Sequence, residues 1–276
     1  MLQTRHKKSL AATIELSLAS PMFQELGPDA RALLGVIAFF PQGFNENNVD
    51  WLFPTISNES DTLDGFCVLS LTSRSTDGFI TMLAPLRDYL SPKDPKSSPL
   101  LCAAKECYFT RMSVNLSPQN SGFRETRWII SEDVNVEHLL DIFTEIDADT
   151  GSVWKACIDF VAHLGSHKPR LTLLAPKVEG LPDDHHCKIG CLTELSMLLS
   201  STGNYAESKR VLGRALTLGR ERGRDDEIVL MLCHLSHINF HMHPCGEGIQ
   251  QAQEALEIYA QYGDKVEQAN CLIQLA

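Results

Sequence analysis

No apolar run in this chain is long enough to cross a bilayer: the longest, Leu33 to Phe40, falls far short of the roughly 20 residues that a spanning helix needs. A secretory signal is lacking as well, because Glu15 interrupts an N-terminal segment whose pattern is helical and amphipathic. Cysteines occur singly at 67, 102, 107, 157, 187, 191, 233, 245 and 271, with no CxxC pair. An odd number of scattered thiols in a chain without a signal peptide reads as small core hydrophobes kept reduced, so a cytoplasmic location is expected. Neither GxSxG nor HExxH is present, and no Gly-Lys pair occurs, so hydrolase chemistry and a phosphate-cradling GxxxxGK[ST] loop both lack their residues. Positive charge is in short supply: 24 Lys and Arg against 35 Asp and Glu give a net charge of -11. That field repels phosphate backbones. The expectation is a chain that is not an enzyme, takes no cofactor or metal, and binds neither nucleic acid nor membrane.

The chain has 276 residues, 43% hydrophobic and 21% charged, which is ample to bury one large or two modest cores. A helical period runs through most of it. PDARALLGVIAFF places Leu33, Leu34, Ile37 and Ala38 on one stripe with Pro28 in the first turn, and NENNVDWLFP is a short helix closed by Pro54. One place reads as sheet: Leu69 to Leu83, with β-prone runs flanking Asp77-Gly78, a dipeptide suited to a tight hairpin turn. APLRDYLSP then predicts a helix stopped by Pro92. Three helices, a hairpin and a helix make the order of a winged helix. The Pro, Ser and Lys of 91–99 predict a linker, and three prolines in KPRLTLLAPKVEGLPDD predict a second boundary at Pro182.

From there, comparing the chain with itself at a shift of forty residues aligns Leu192, Leu232 and Leu272, then Leu195, Leu235 and Leu275. In the first two copies the match extends through Ser196 with Ser236, Ala215 with Ala255 and Gly223 with Gly263. Each unit is two helices, about 190 to 201 and 204 to 222 in the first copy, turning at Gly203-Asn204. Small residues such as Ala215 allow close helix approach. A helical solenoid is expected.

These residues resemble known families. GNYAESKRVLGRALTL is similar to the second half of a tetratricopeptide repeat, while the second copy departs from the pattern at His243, Cys245 and Gly248. Upstream, ELGPDARALLGVIAFFPQGFNENNVDWLFP with TMLAPLRDYL resembles the winged helix of fungal-type STAND/NB-ARC regulatory ATPases, in which tetratricopeptide repeats follow. The resemblance implies a mainly α chain: an N-terminal helix (1–25), a winged-helix domain with one β-hairpin (26–92), a linker and helix (93–124), a helical spacer (125–182) and a tetratricopeptide-like solenoid (183–276) with an incomplete third repeat. It implies the interaction and sensor part of a signalling protein without its nucleotide-binding module, whose open repeat end is a route to self-association.

In such relatives a Met-His-Asp motif reaches the bound ADP. Here Met82, Leu83 and Ala84 stand in its place, so the sensor chemistry is lost; Leu83 and Ala84 read as winged-helix core, and otherwise as an accessory surface completing an ADP/ATP site with a separate NB-ARC module. In a tetratricopeptide array the first helix of each unit lines the groove, which puts Thr193, Met197, Cys233, His237, Phe240 and His241 on a surface for a protein or peptide. His234, His237 and His241 also have zinc-compatible spacing, but no carboxylate accompanies them and the first unit has Glu194, Met197 and Ser201 there, so the groove reading is preferred. In DDHHC, Asp183 or Asp184 reads as a helix N-cap rather than a metal ligand. Arg220, Arg222 and Arg224 read as a solvated helix end. A winged helix also serves DNA-binding regulators, yet NESDTLDGFCVLSL brings Glu59, Asp61 and Asp64 and no Lys or Arg to the groove-facing segment.

Overall fold

The computed structural model describes residues 11–56, 58–116, 128–146, 151–164, 170–223, 225–242 and 246–262. Expectations for the first ten residues, for His243 and Cys245, for Arg224 and for the third repeat lie outside these. The described chain is mainly helical with one small sheet, and it forms two compact units, 1–142 and 143–276.

In the first unit, residues 11–18 are helical, and α1 (Pro21–Gln24) follows with Ser20 as its cap, the Ser20 hydroxyl accepting the Phe23 N–H. The helix α2 (Ala30–Phe39) begins one residue after Pro28-Asp29, so Pro28 precedes the first turn rather than occupying it. Its apolar stripe, Leu33, Leu34 and Ile37, is fully buried. Strand β1 (Phe44–Asn45) leads to α3 (Val49–Leu52) and α4 (Glu59–Val68); β2 (Ser73–Arg74), β3 (Phe79–Thr81) and α5 (Ala84–Leu90) complete the set. The expected hairpin therefore has a third member. Strand β1 pairs antiparallel with β3, Phe44 opposite Ile80, in the order β1-β3-β2. Two residues show no alternation, which is why β1 left no trace in the pattern.

The hairpin turn is also longer than a two-residue Asp-Gly turn. Ser75 N–H donates to Phe79 O, Gly78 N–H donates to Ser75 O, and only Gly78 adopts positive φ (+78°). Beyond the expected linker, which carries a 3-10 turn at Pro95–Ser97, α6 (Pro99–Asn115) starts on a Ser98 cap and packs against α2 and α3. Leu101, Ala104, Tyr108 and Met112 form its buried stripe, and Tyr108 meets Phe40 at 5.6 Å.

A buried polar cluster ties this unit together. Glu132, fully buried, precedes α7 (Asp133–Ile146). One carboxyl oxygen accepts from Asn45 N–H (3.1 Å) and Asn48 Nδ2 (2.8 Å); the other accepts from Tyr108 OH (3.2 Å) and Asn135 Nδ2 (2.6 Å). Asn135 Nδ2 also donates to Gly43 O. Burial and the adjacent Glu132 push the Tyr108 phenol well up. Nothing in the sequence distinguishes Glu132 from its acidic neighbours.

The second unit contains α8 (Gly151–Leu164), α9 (Leu171–Gly180), α10 (Lys188–Ser201), α11 (Tyr205–Arg222), α12 (Asp225–Met242) and α13 (Gly246–Tyr262). The proline-rich segment expected as an interruption is itself helical, with Pro176 inside α9 at the loss of one backbone hydrogen bond. Helices α10 to α13 form two consecutive antiparallel pairs in a solenoid-like arrangement.

Candidate functional site

The repeat helices position the candidate surface, and their register follows from the forty-residue match. Leu192 and Leu195 on α10, and Leu232 and Leu235 on α12, are buried at equivalent places. In the first pair α10 and α11 meet through hydroxyls: Ser196 Oγ and Ser208 Oγ lie 2.8 Å apart, and each also donates to the other residue's carbonyl. In the second pair the matching residues are Ser236 and Gly248, and a Cβ on Gly248 would come within 3.2 Å of Ser236 O. Asn239 Nδ2 donates to Gln251 Oε1 beside it (2.7 Å). Gly248, where the second copy departs from the repeat pattern, thus lets α13 lie against the backbone of α12 at this point. Ala215 and Ala255 are both fully buried. Gly203, at φ +81°, turns the chain between α10 and α11.

Of the residues expected on the surface, Met197 (37% exposed), Phe240 (66%), His237 and His241 are exposed, and Cys233 is half-buried. Thr193 is buried, its hydroxyl donating to Ile189 O (2.9 Å), so it underlies the face instead of lining it. A threonine in a helix interior satisfies its hydroxyl on its own backbone when no water is available. His237 and His241 have their Nε2 atoms 3.2 Å apart, and the His241 ring stacks on Tyr205 with centroids 5.1 Å apart and planes 7° from parallel. Burial and the neighbouring His241 lower the His237 pKa, and burial followed by His237 lowers that of His234, which is half-buried.

The DDHHC segment behaves differently from the N-cap reading. Cys187, not Asp183 or Asp184, holds the cap position of α10, and it makes no side-chain capping bond. Asp183 instead pairs with Arg214 (2.6 Å), and Arg222 donates to the carbonyls of Asp183 and His185. Lys188 is completely buried and donates to Val178 O and Leu181 O (2.6 Å each), closing the end of α9. The arginines expected as a solvated helix end are engaged likewise: Arg220 reaches Glu254 (2.5 Å) and Arg222 clasps this loop. Folding of the repeats brings the loop under the C-terminus of α11, a proximity that helix periodicity does not encode. His185, His186 and Cys187 consequently hold three potential ligand atoms within 4.8 Å of one another.

Glu194, on α10, is buried, and this together with nearby Asp159 raises its pKa to about 7. An unfolded glutamate titrates near 4.3, so the native state retains the proton more strongly, and the stability from this group is fullest below that value and is lost as pH rises through about 7. Urea melts at pH 5 and pH 8 should show a smaller difference for Glu194→Gln than for the wild type. An equal difference would place the titration elsewhere.

At the upstream candidate, the structure reverses the preferred reading. Leu83 is 71% exposed, Ala84 is exposed and Met82 half-buried. Strand β3 ends at Thr81 with Ile80 as its inward residue, and Leu83 lies beyond it as the cap of α5, so neither the sheet nor the helix stripe draws it inward. Two concavities had no sequence signal. A cleft of about 530 Å³ is lined by Arg31, Gly35, Asp88, Tyr89 and Lys93, and one of about 230 Å³ has Val178, Leu192, Leu195, Leu199 and Val211 beneath Glu207 and Arg210. Among the described residues, no helix is long and apolar enough to cross a membrane.

No family model and no curated protein matches this chain. Among solved structures it is similar to a Signal Transduction ATPase with Numerous Domains (STAND) protein with a tetratricopeptide repeat sensor from Pyrococcus horikoshii, at 13% identity and a TM-score of 0.33. The match covers 91% of this chain and 47% of that one, so the chain spans about half the length of this neighbour.

Proposed function

We propose that residues 183–276 form a non-catalytic protein-interaction and sensor region, with a partner peptide or protein segment lying on the face of Met197, Cys233, His237, Phe240 and His241. The observation that carries this reading is Phe240: it is 66% exposed on a helix whose Leu232, Leu235 and Ile238 are buried, with Met197 exposed one repeat earlier. A phenyl ring held out from a helix and accompanied by methionine and histidine is the kind of anchor that dominates protein interfaces. Residues 26–92 are then the winged-helix module of a STAND-type signalling protein of the fungal kind. The exposure of Leu83 and Ala84 supports an accessory role beside an ADP/ATP site on a separate NB-ARC module. A DNA-reading role has less in its favour: Asp61 and Asp64 are exposed on α4, and Arg74 is engaged by Asp64 (2.5 Å) and Glu46 (2.8 Å).

The test is selection of peptides from a random library on the full chain, followed by affinity measurement on variants. Phe240→Ala and Met197→Ala should each weaken selected peptides by roughly tenfold, the scale of an interface hot spot, with an unchanged thermal melt. Peptides that bind both variants as tightly as the wild type would refute this face.

A further inference from the structure

We propose that His237 and His241 form a two-histidine seat for a borderline first-row dication, with zinc as the reference ion, on the exposed face of α12. The residues stand four apart in the run HINFH, and a helix carrying histidines at that spacing can direct both toward one ion. Their Nε2 atoms are 3.2 Å apart. Zinc–imidazole bonds of roughly 2.0–2.1 Å at a tetrahedral angle separate the two ligand nitrogens by roughly 3.3 Å, so the rings already stand at chelating distance.

The neighbouring rings support that geometry. Tyr205 lies flat against the His241 ring at 5.1 Å, and the two imidazoles meet at 4.5 Å with planes 69° apart, their Nε2 atoms turned toward each other. Without an ion, one Nε2 carries the proton and donates it to the other; with one, both rings hold their proton on Nδ1 and turn the Nε2 lone pairs to the metal.

What the seat lacks defines what it can do. Ile238 follows His237 where the zinc-protease motif has its glutamate, so no general base stands beside the ion. Two protein ligands leave positions for water or for a donor side chain of a bound segment, which makes this a recognition or bridging site rather than a catalytic one. The site does not rest on peptide binding by the groove, since the ion is held by this chain's own residues.

The His185, His186 and Cys187 cluster is the rival. There the His185 Nδ1 lone pair already accepts the Cys187 N–H (3.2 Å), and burial pushes the Cys187 thiol up, away from the thiolate a metal needs. Arg214, Arg222 and Lys188 gather on the same loop and oppose a dication.

Calorimetric titration of the full chain with zinc alone, without peptide, tests the seat. The wild type should bind one ion per chain. His237→Gln and His241→Gln should each weaken binding by at least the roughly tenfold that even outer-shell partners of a metal carry, and the double variant should lose it. Thermal melts should show zinc stabilising the wild type and not the double variant, while melts without zinc confirm that all variants fold. His185→Gln with His186→Gln should leave binding intact. No binding by the wild type at millimolar zinc, survival of binding in the His237 and His241 double variant, or its loss in the His185 and His186 variant would each overturn the proposal. The peptide affinities of Phe240→Ala and Met197→Ala are measured with both histidines intact, so the failure of either reading is visible separately.

Discussion

Replacing Glu132 by alanine should unfold the first unit at a much lower urea concentration than the wild type, with a loss on the order of 3–5 kcal/mol. Four donors converge on this carboxyl group: a backbone N–H, two side-chain amides and a phenol. Removing it strands them out of water, and unsatisfied buried groups cost far more than a hydrogen bond contributes. The partners come from β1, the turn before α3, α6 and α7, so the loss falls on the junction of all four. Glu132→Gln should cost less. Its carbonyl still accepts from Asn45 and Asn48, and the Tyr108 hydroxyl can reverse to accept. The amide would then oppose the Asn135 amide, and turning Asn135 to offer its unpartnered Oδ1 would take the donor from Gly43 O. A glutamine variant as unstable as the alanine variant, or an alanine variant as stable as the wild type, would contradict this account.

The second large effect is expected at Gly43. Its φ is +72°, in the left-handed region that glycine enters freely, and an added Cβ would sit 1.8 Å from Ile80 O. The obstacle is the backbone of the central strand, which cannot rotate away as a side chain would. Gly43→Ala should cost on the order of 3 kcal/mol or more, either by breaking the β1–β3 pairing or by forcing the loop into a new path. Urea melts and the loss of amide protection at Ile80 and at Glu46, whose N–H donates to Gly78 O, would report it. Gly203→Ala makes an informative control: it has positive φ (+81°) but nothing within 4 Å, so only the conformational strain remains and the loss should be distinctly smaller.

Local regularity made much of the architecture legible. The stripe Leu33, Leu34, Ile37 is buried as its spacing predicts, and the Gly203-Asn204 turn, the helices on either side of it and the rungs Leu192 with Leu232 and Leu195 with Leu235 all occupy their expected places. Where the reading differed, the cause was local pattern yielding to contacts remote in sequence. Strand β1 is too short to alternate and exists because β3 pairs with it. Asp183 looks like a cap, yet Arg214, 31 residues away, and the Arg222 guanidinium draw it into the repeat stack. Leu83 looks like core and is exposed because the strand stops two residues earlier. Thr193 falls on the expected face by spacing, but its hydroxyl turns back to the helix.

The same division holds for the candidate sites. Helical spacing alone is enough to put His237 and His241 on one side of α12, since four residues return almost to the same angle. It could not tell how far apart their Nε2 atoms would stand, nor that Tyr205 from the preceding helix would fix one ring. Glu132 is the extreme case, because its partners at Asn48 and Asn45 are 84 and 87 residues away. By itself the amino-acid order determined the helices, the forty-residue recurrence and the faces they bury, because these follow from neighbours along the chain. Only the tertiary structure decided which polar groups share a buried junction and which apolar side chains stay in water, because burial and pairing depend on atoms that only folding brings within a few ångströms.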